Sequence, residues 1–77
     1  MMPFKPNTLD EPGKFVIYSI ERYRQIKGLS GREVIRLFNE WQVLEFIREF
    51  FDLLHLNGDQ CLVQDIDDYI ARKQAEA

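Results

Sequence analysis

Apolar residues recur along this chain at helical spacing, and the gaps between the recurrences carry residues suited to stopping or starting helices. Phe15, Val16, Ile20, Tyr23 and Ile26 share one broad face when the chain turns through about 100° per residue. Pro12 suits a first helical turn, where its missing N–H is not needed, and Gly28 suits the left-handed stop. The pattern predicts a first helix over about 12–27. Ser30 and Glu33 have the spacing of a capping box, and Leu29 with Val34 the spacing of a hydrophobic staple. Val34, Leu37, Phe38 and Trp41 then form a core-facing stripe on a second helix. The phase shifts at Gln42. Val43, Phe46, Ile47, Phe50, Phe51 and Leu54 carry a third helix that Asn57-Gly58 ends, with Phe50 near the centre of its apolar arc and expected deep in the core. Residues 59–64 read as too short and irregular for a helix, with Cys61-Leu62-Val63 extended. Asp65 has the character of an N-cap for a fourth helix carrying Ile66, Tyr69 and Ile70. The expected fold is all-α: a small bundle of three main helices plus a fourth, C-terminal helix, in one domain over 1–77. Residues 1–11 read as an irregular N-terminal arm and 72–77 as a frayed tail.

The third helix carries more apolar surface than a simple core requires. From Leu53 and Phe46 round to Leu44 and Phe51 its apolar arc spans about 180° at about 100° per residue, well beyond the ordinary stripe of about 100°. Tyr18 falls among Glu21, Arg22 and Gln25, and Ile35 lies at the edge of its stripe. Either neighbouring helices cover this surplus or part of it is a contact surface. The candidate partner-binding residues are therefore Tyr18 and Ile35, with one edge of the third helix, Leu44/Phe51 or Phe46/Leu53.

Composition narrows the class. A hydrophobic fraction of 45% with 13% aromatic residues excludes general disorder. The single cysteine, Cys61, has no internal disulfide partner, which excludes a disulfide-stapled scaffold. No signal-peptide h-region and no apolar run of about 20 residues is present, so a cytoplasmic protein outside the membrane is expected. The net charge of −3 is unevenly spread: residues 1–40 hold seven Lys/Arg against five Asp/Glu, and residues 41–77 hold three against eight.

Little in the chain resembles catalytic equipment. His55 has no second histidine or cysteine pair to work with, and near a helix end its imidazolium would interact well with the carbonyl-rich terminus. Cys61, between acidic neighbours Asp59 and Asp65, reads as a small buried hydrophobe. A calcium loop centred on Gly58 would need acidic ligands where Leu53 and Gln64 stand, so the aspartates there read as helix caps. No enzyme activity, metal, cofactor or small-molecule substrate is expected. Arg22, Arg24, Lys27, Arg32 and Arg36 crowd the joint between the first two helices, the one feature that suggests a DNA-binding regulator. An acidic chain whose helices spend their faces on large apolar residues argues against nucleic acid.

Lys14-Phe-Val-Ile-Tyr, Leu29-Ser-Gly-Arg-Glu-Val-Ile-Arg-Leu-Phe, Asp52-Leu-Leu-His-Leu-Asn-Gly and Asp65-Ile-Asp-Asp-Tyr-Ile together resemble a family of small bacterial proteins catalogued as a domain of unknown function, over about residues 14–70. The resemblance implies genes that neighbour ones for ADP-ribosyltransferase-like proteins, and hence an antitoxin-like or accessory role. It nominates no active site. The function expected is a non-enzymatic protein–protein interaction module, bound to another protein or to a second copy of itself as a homodimer.

Overall fold

The computed structural model describes residues 10–77, all of whose regular structure is helical. Helix α1 spans Glu11–Lys27, α2 Gly31–Glu40, α3 Val43–Glu49, α4 Phe51–Leu54 and α5 Asp59–Glu76. Helix α1 packs on α2, α3 and α5, and α3 on α2, α4 and α5, so these two form the centre of the bundle. The predicted irregular arm lies outside the described residues except at its last two positions.

Local chemistry sets the first two helices. The Asp10 carboxylate accepts from the Gly13 N–H at 2.8 Å and caps α1. Gly28 ends it at φ 70°, a left-handed conformation that glycine adopts without Cβ strain, and the Leu29 N–H closes back on the Arg24 carbonyl at 3.0 Å. At the start of α2 the capping box forms in both directions: Glu33 N–H to Ser30 Oγ at 3.1 Å, and Ser30 N–H to Glu33 Oε1 at 2.8 Å. Gln42, where the apolar phase shifts, adopts φ 55° and turns the chain between α2 and α3.

The third predicted helix is two helices. Phe50 leaves helical geometry at φ −106°, ψ 22°, and its carbonyl accepts from both Leu53 and Leu54 as α4 restarts. The break keeps Ile47 and Leu54 inside and turns Phe50 out to 41% exposure, so Phe50 is not the deep core residue that its place in the arc predicted.

The last helix begins six residues before Asp65. Gly58 precedes it, and Leu62, Val63, Ile66 and Ile70 supply a buried stripe at i, i+1, i+4 and i+8. Two more apolar side chains are thereby removed from water, which offsets the absence of a side-chain cap. The segment Cys61-Leu62-Val63 is thus helical rather than extended, and Cys61, turned away from the stripe, is exposed rather than buried. Helix α5 also continues to Glu76, through the residues where fraying was expected.

The core unites Tyr23 of α1, Val34 and Phe38 of α2, Val43 and Ile47 of α3, Leu54 of α4 and the α5 stripe. Tyr23 and Phe38 meet edge to face at 5.2 Å between centroids. Ser19, fully buried, satisfies its hydroxyl on the Phe15 carbonyl at 2.7 Å.

Candidate interaction surfaces

The five basic residues at the α1–α2 joint are largely occupied by carboxylates. Arg24 pairs with Glu21 at 2.5 Å, and Lys27 with Asp67 of α5 at 2.8 Å. Arg22 Nε lies 2.8 Å from Asp59 Oδ2, yet its N–H misses the oxygen, so the contact is ionic without a hydrogen bond. Arg24 holds the Glu21 carboxyl below the usual carboxylate range, and Glu21 in turn raises Arg24. Arg32 and Arg36 make no ion pair among the described residues, and both are exposed.

A second region surrounds the start of α5. A cleft of about 380 Å³ is lined by Phe15 and Tyr18 of α1, Phe51 and His55, and Asp59. Phe51 stacks on His55 at 4.4 Å and meets Phe15 edge-on at 5.5 Å. His55 Nδ1 lies 2.7 Å from the Phe51 carbonyl, the contact its place one turn on allows. The Tyr18 hydroxyl donates to Asp59, and this bond raises the Tyr18 phenol above its ordinary value. The apolar walls of the cleft are mostly spent on one another, and its carboxylate is shared by Tyr18 and Arg22.

The third region is an apolar trough. Between α3–α4 and α5 runs a trough made of two hollows, of about 520 and 410 Å³, that share Phe46, Phe50 and Arg72. One wall carries Leu53 and Leu56, exposed to 65% and 75%. Phe46 stacks on Tyr69 at 4.2 Å and 11° between planes, fixing the middle of the trough, and the Tyr69 hydroxyl donates to the Gln42 carbonyl at 3.3 Å. Asp65, Asp68, Arg72 and Lys73 stand along the α5 wall.

The six residues singled out in the sequence are therefore divided. Tyr18 and Phe51 meet in the aromatic cleft, and Phe46 and Leu53 meet in the trough. Ile35 is 48% exposed on α2 and lines neither, and Leu44 packs partly buried against the core. Sequence reasoning missed Phe50 and Leu56. Leu56 lies just past the last helical apolar residue, beside Asn57-Gly58, a position that periodicity does not reach. The aspartates read as caps hold other groups instead: Asp67 accepts from Tyr23 and Lys27, and Asp68 from Gln64.

The fold and its surfaces define a small all-α bundle with an open apolar trough, and no helix among its described residues is long and apolar enough to cross a membrane. A family model described as "Protein of unknown function (DUF3791)" matches residues 14–73, and the chain belongs to that family. No curated protein and no solved structure matches it.

Proposed function

We propose that this protein is a non-enzymatic protein–protein interaction module whose contact surface is the α3–α4/α5 trough. The observation that carries the reading is the exposure of Phe50, Leu53 and Leu56 side by side along one hollow, at 41%, 65% and 75%. Scattered apolar residues on a surface need no explanation, but a contiguous group rimmed by charge is the composition of an interface centre. Aromatic anchors already fixed by packing, Phe46 against Tyr69 and Phe50, lose little freedom on binding. The finer reading is an antitoxin-like or regulatory accessory protein of the bacterial cytoplasm, acting on an ADP-ribosyltransferase-like protein encoded beside it, as the family resemblance implies. The DNA-binding reading has less behind it, because Arg22, Arg24 and Lys27 already face carboxylates.

The test is a comparison of baits. The wild-type chain should retain a discrete protein partner, and Leu53→Glu should lose it while its circular dichroism stays unchanged. Equal capture by the variant would remove the trough from the reading. Duplex DNA at about 150 mM salt should bind weakly and without sequence preference. A sequence-selective complex of sub-micromolar affinity would instead favour the regulator.

A further inference from the structure

Along the wall that α5 gives to the trough, the charges are segregated. Asp65 and Asp68 stand beside the hollow that holds Leu53 and Leu56, Lys73 and Glu76 line the other hollow, and Arg72 stands between them and borders both. Asp65, Asp68, Arg72 and Lys73 fall at i, i+3, i+7 and i+8 and so share one helix face. None of these four makes an ion pair among the described residues. Among the described residues Asp68 accepts only from Gln64, at 3.0 Å, and Lys73 lies over the Tyr69 ring at 5.8 Å.

A surface that is acidic at one end and basic at the other, with apolar side chains along its length, is complementary to itself after a half-turn. We propose, resting on the reading of the trough as a protein-binding surface, that its occupant is a second copy of this chain. The two copies pack α5 against α5 antiparallel about a two-fold axis near Tyr69. In that arrangement Asp65 and Asp68 of each copy face Arg72 and Lys73 of the other, so every favourable pairing occurs twice. Leu53 and Leu56, which stand out at the acidic end, enter the hollow of about 410 Å³ at the basic end of the second copy, walled there by Phe46, Phe50 and Tyr69. Parallel packing would set like charges against each other. A foreign partner would have to present both signs in reversed order, which a second copy does by symmetry. An isologous contact of this kind closes at two and forms no filament.

The experiment is sedimentation equilibrium on the full chain and on charge-swapped variants, with circular dichroism as the folding control. The wild type should be dimeric at about 0.1 mM, an affinity within reach of a small interface. Leu53→Glu should be a folded monomer. Asp68→Arg and Arg72→Asp should each weaken dimerisation about tenfold, since each turns two attractions into repulsions. The double variant D68R/R72D should recover most of the wild-type affinity. A monomeric wild type at about 1 mM, or a double variant no tighter than the singles, would overturn the proposal. If the wild type is monomeric while Leu53→Glu still abolishes capture of another protein, the dimer is wrong and the interaction-module reading stands. Loss of neither dimer nor capture in Leu53→Glu would sink both.

Discussion

Ser30 and Glu33 exchange two hydrogen bonds at the start of α2, and the Ser30 N–H holds the Glu33 carboxyl below the usual carboxylate range. Ser30→Ala leaves the Glu33 N–H without its partner and should lower stability by about 1 kcal/mol, read as a shift in urea midpoint at constant slope. An unmoved midpoint would mean that the cap contributes nothing. Tyr23 shows the opposite kind of residue, one whose role no local pattern announces. Its ring is buried, its hydroxyl donates to Asp67 at 2.5 Å across 44 residues of sequence, and burial first and then that bond raise the phenol above its ordinary value. The folded state therefore holds the Tyr23 proton more tightly than the unfolded state does. The stability this supplies is complete below about pH 10, the unfolded value, and is lost as pH rises through the higher folded one. Urea midpoints should accordingly fall above about pH 10, and Tyr23→Phe should flatten that fall. An alkaline limb unchanged in the variant would place the proton linkage elsewhere. The caps at Asp10, Ser30 and Gly28 involve neighbours within a few residues, two of them were legible in the sequence, and the bond from Tyr23 to Asp67 was not.

At the scale of elements, α1 and α2 were legible because start signal, stripe and stop agree. Helix α5 was misplaced because the strongest capping residue of its segment, Asp65, lies inside it, while the actual start at Gly58 uses no side chain. The buried pair Leu62 and Val63 decides the outcome: an extra helical turn takes both from water, and an extended strand would present only one of them inward. Cys61 precedes Leu62 by about 100° of rotation and is carried outward. Its thiol should therefore react with a small aromatic disulfide in native buffer nearly as fast as in denaturant. Labelling only on unfolding would restore the buried assignment. The break between α3 and α4 was hidden for a related reason, since Phe50 and Phe51 continue the apolar period across it. With Phe50 at 41% exposure, Phe50→Ala should cost about 1–2 kcal/mol in place of the 3–5 of a fully buried ring. A larger loss of urea stability would put the ring back in the core.

For the molecule as a whole, the all-α class followed from the dominance of one period, whereas the trough required three separate helices to meet and had no sequence signature of its own. Half of what formed it was visible, in the surplus at Phe46 and Leu53, and the rest depended on how α4 turns away from α3. The uneven charge of the two halves also changes meaning, because Arg22 and Lys27 of the first reach Asp59 and Asp67 of the second, while Arg48 returns to Asp10 at 2.7 Å. Every polar tie that joins α1 to α5, those of Tyr18, Arg22, Tyr23 and Lys27, spans the exposed Asn57-Gly58 turn. Severing the backbone at that turn would thus leave two pieces with matching faces, each carrying half of the ties. An 18-residue peptide corresponding to α5 is marginal as a helix alone in water. Added to the remainder of the chain it should regain helicity by reassembly, and the regain should weaken as salt screens the ion pairs. The connection between α4 and α5 would then be a convenience of synthesis, with specificity of assembly residing in the side chains on either side of it.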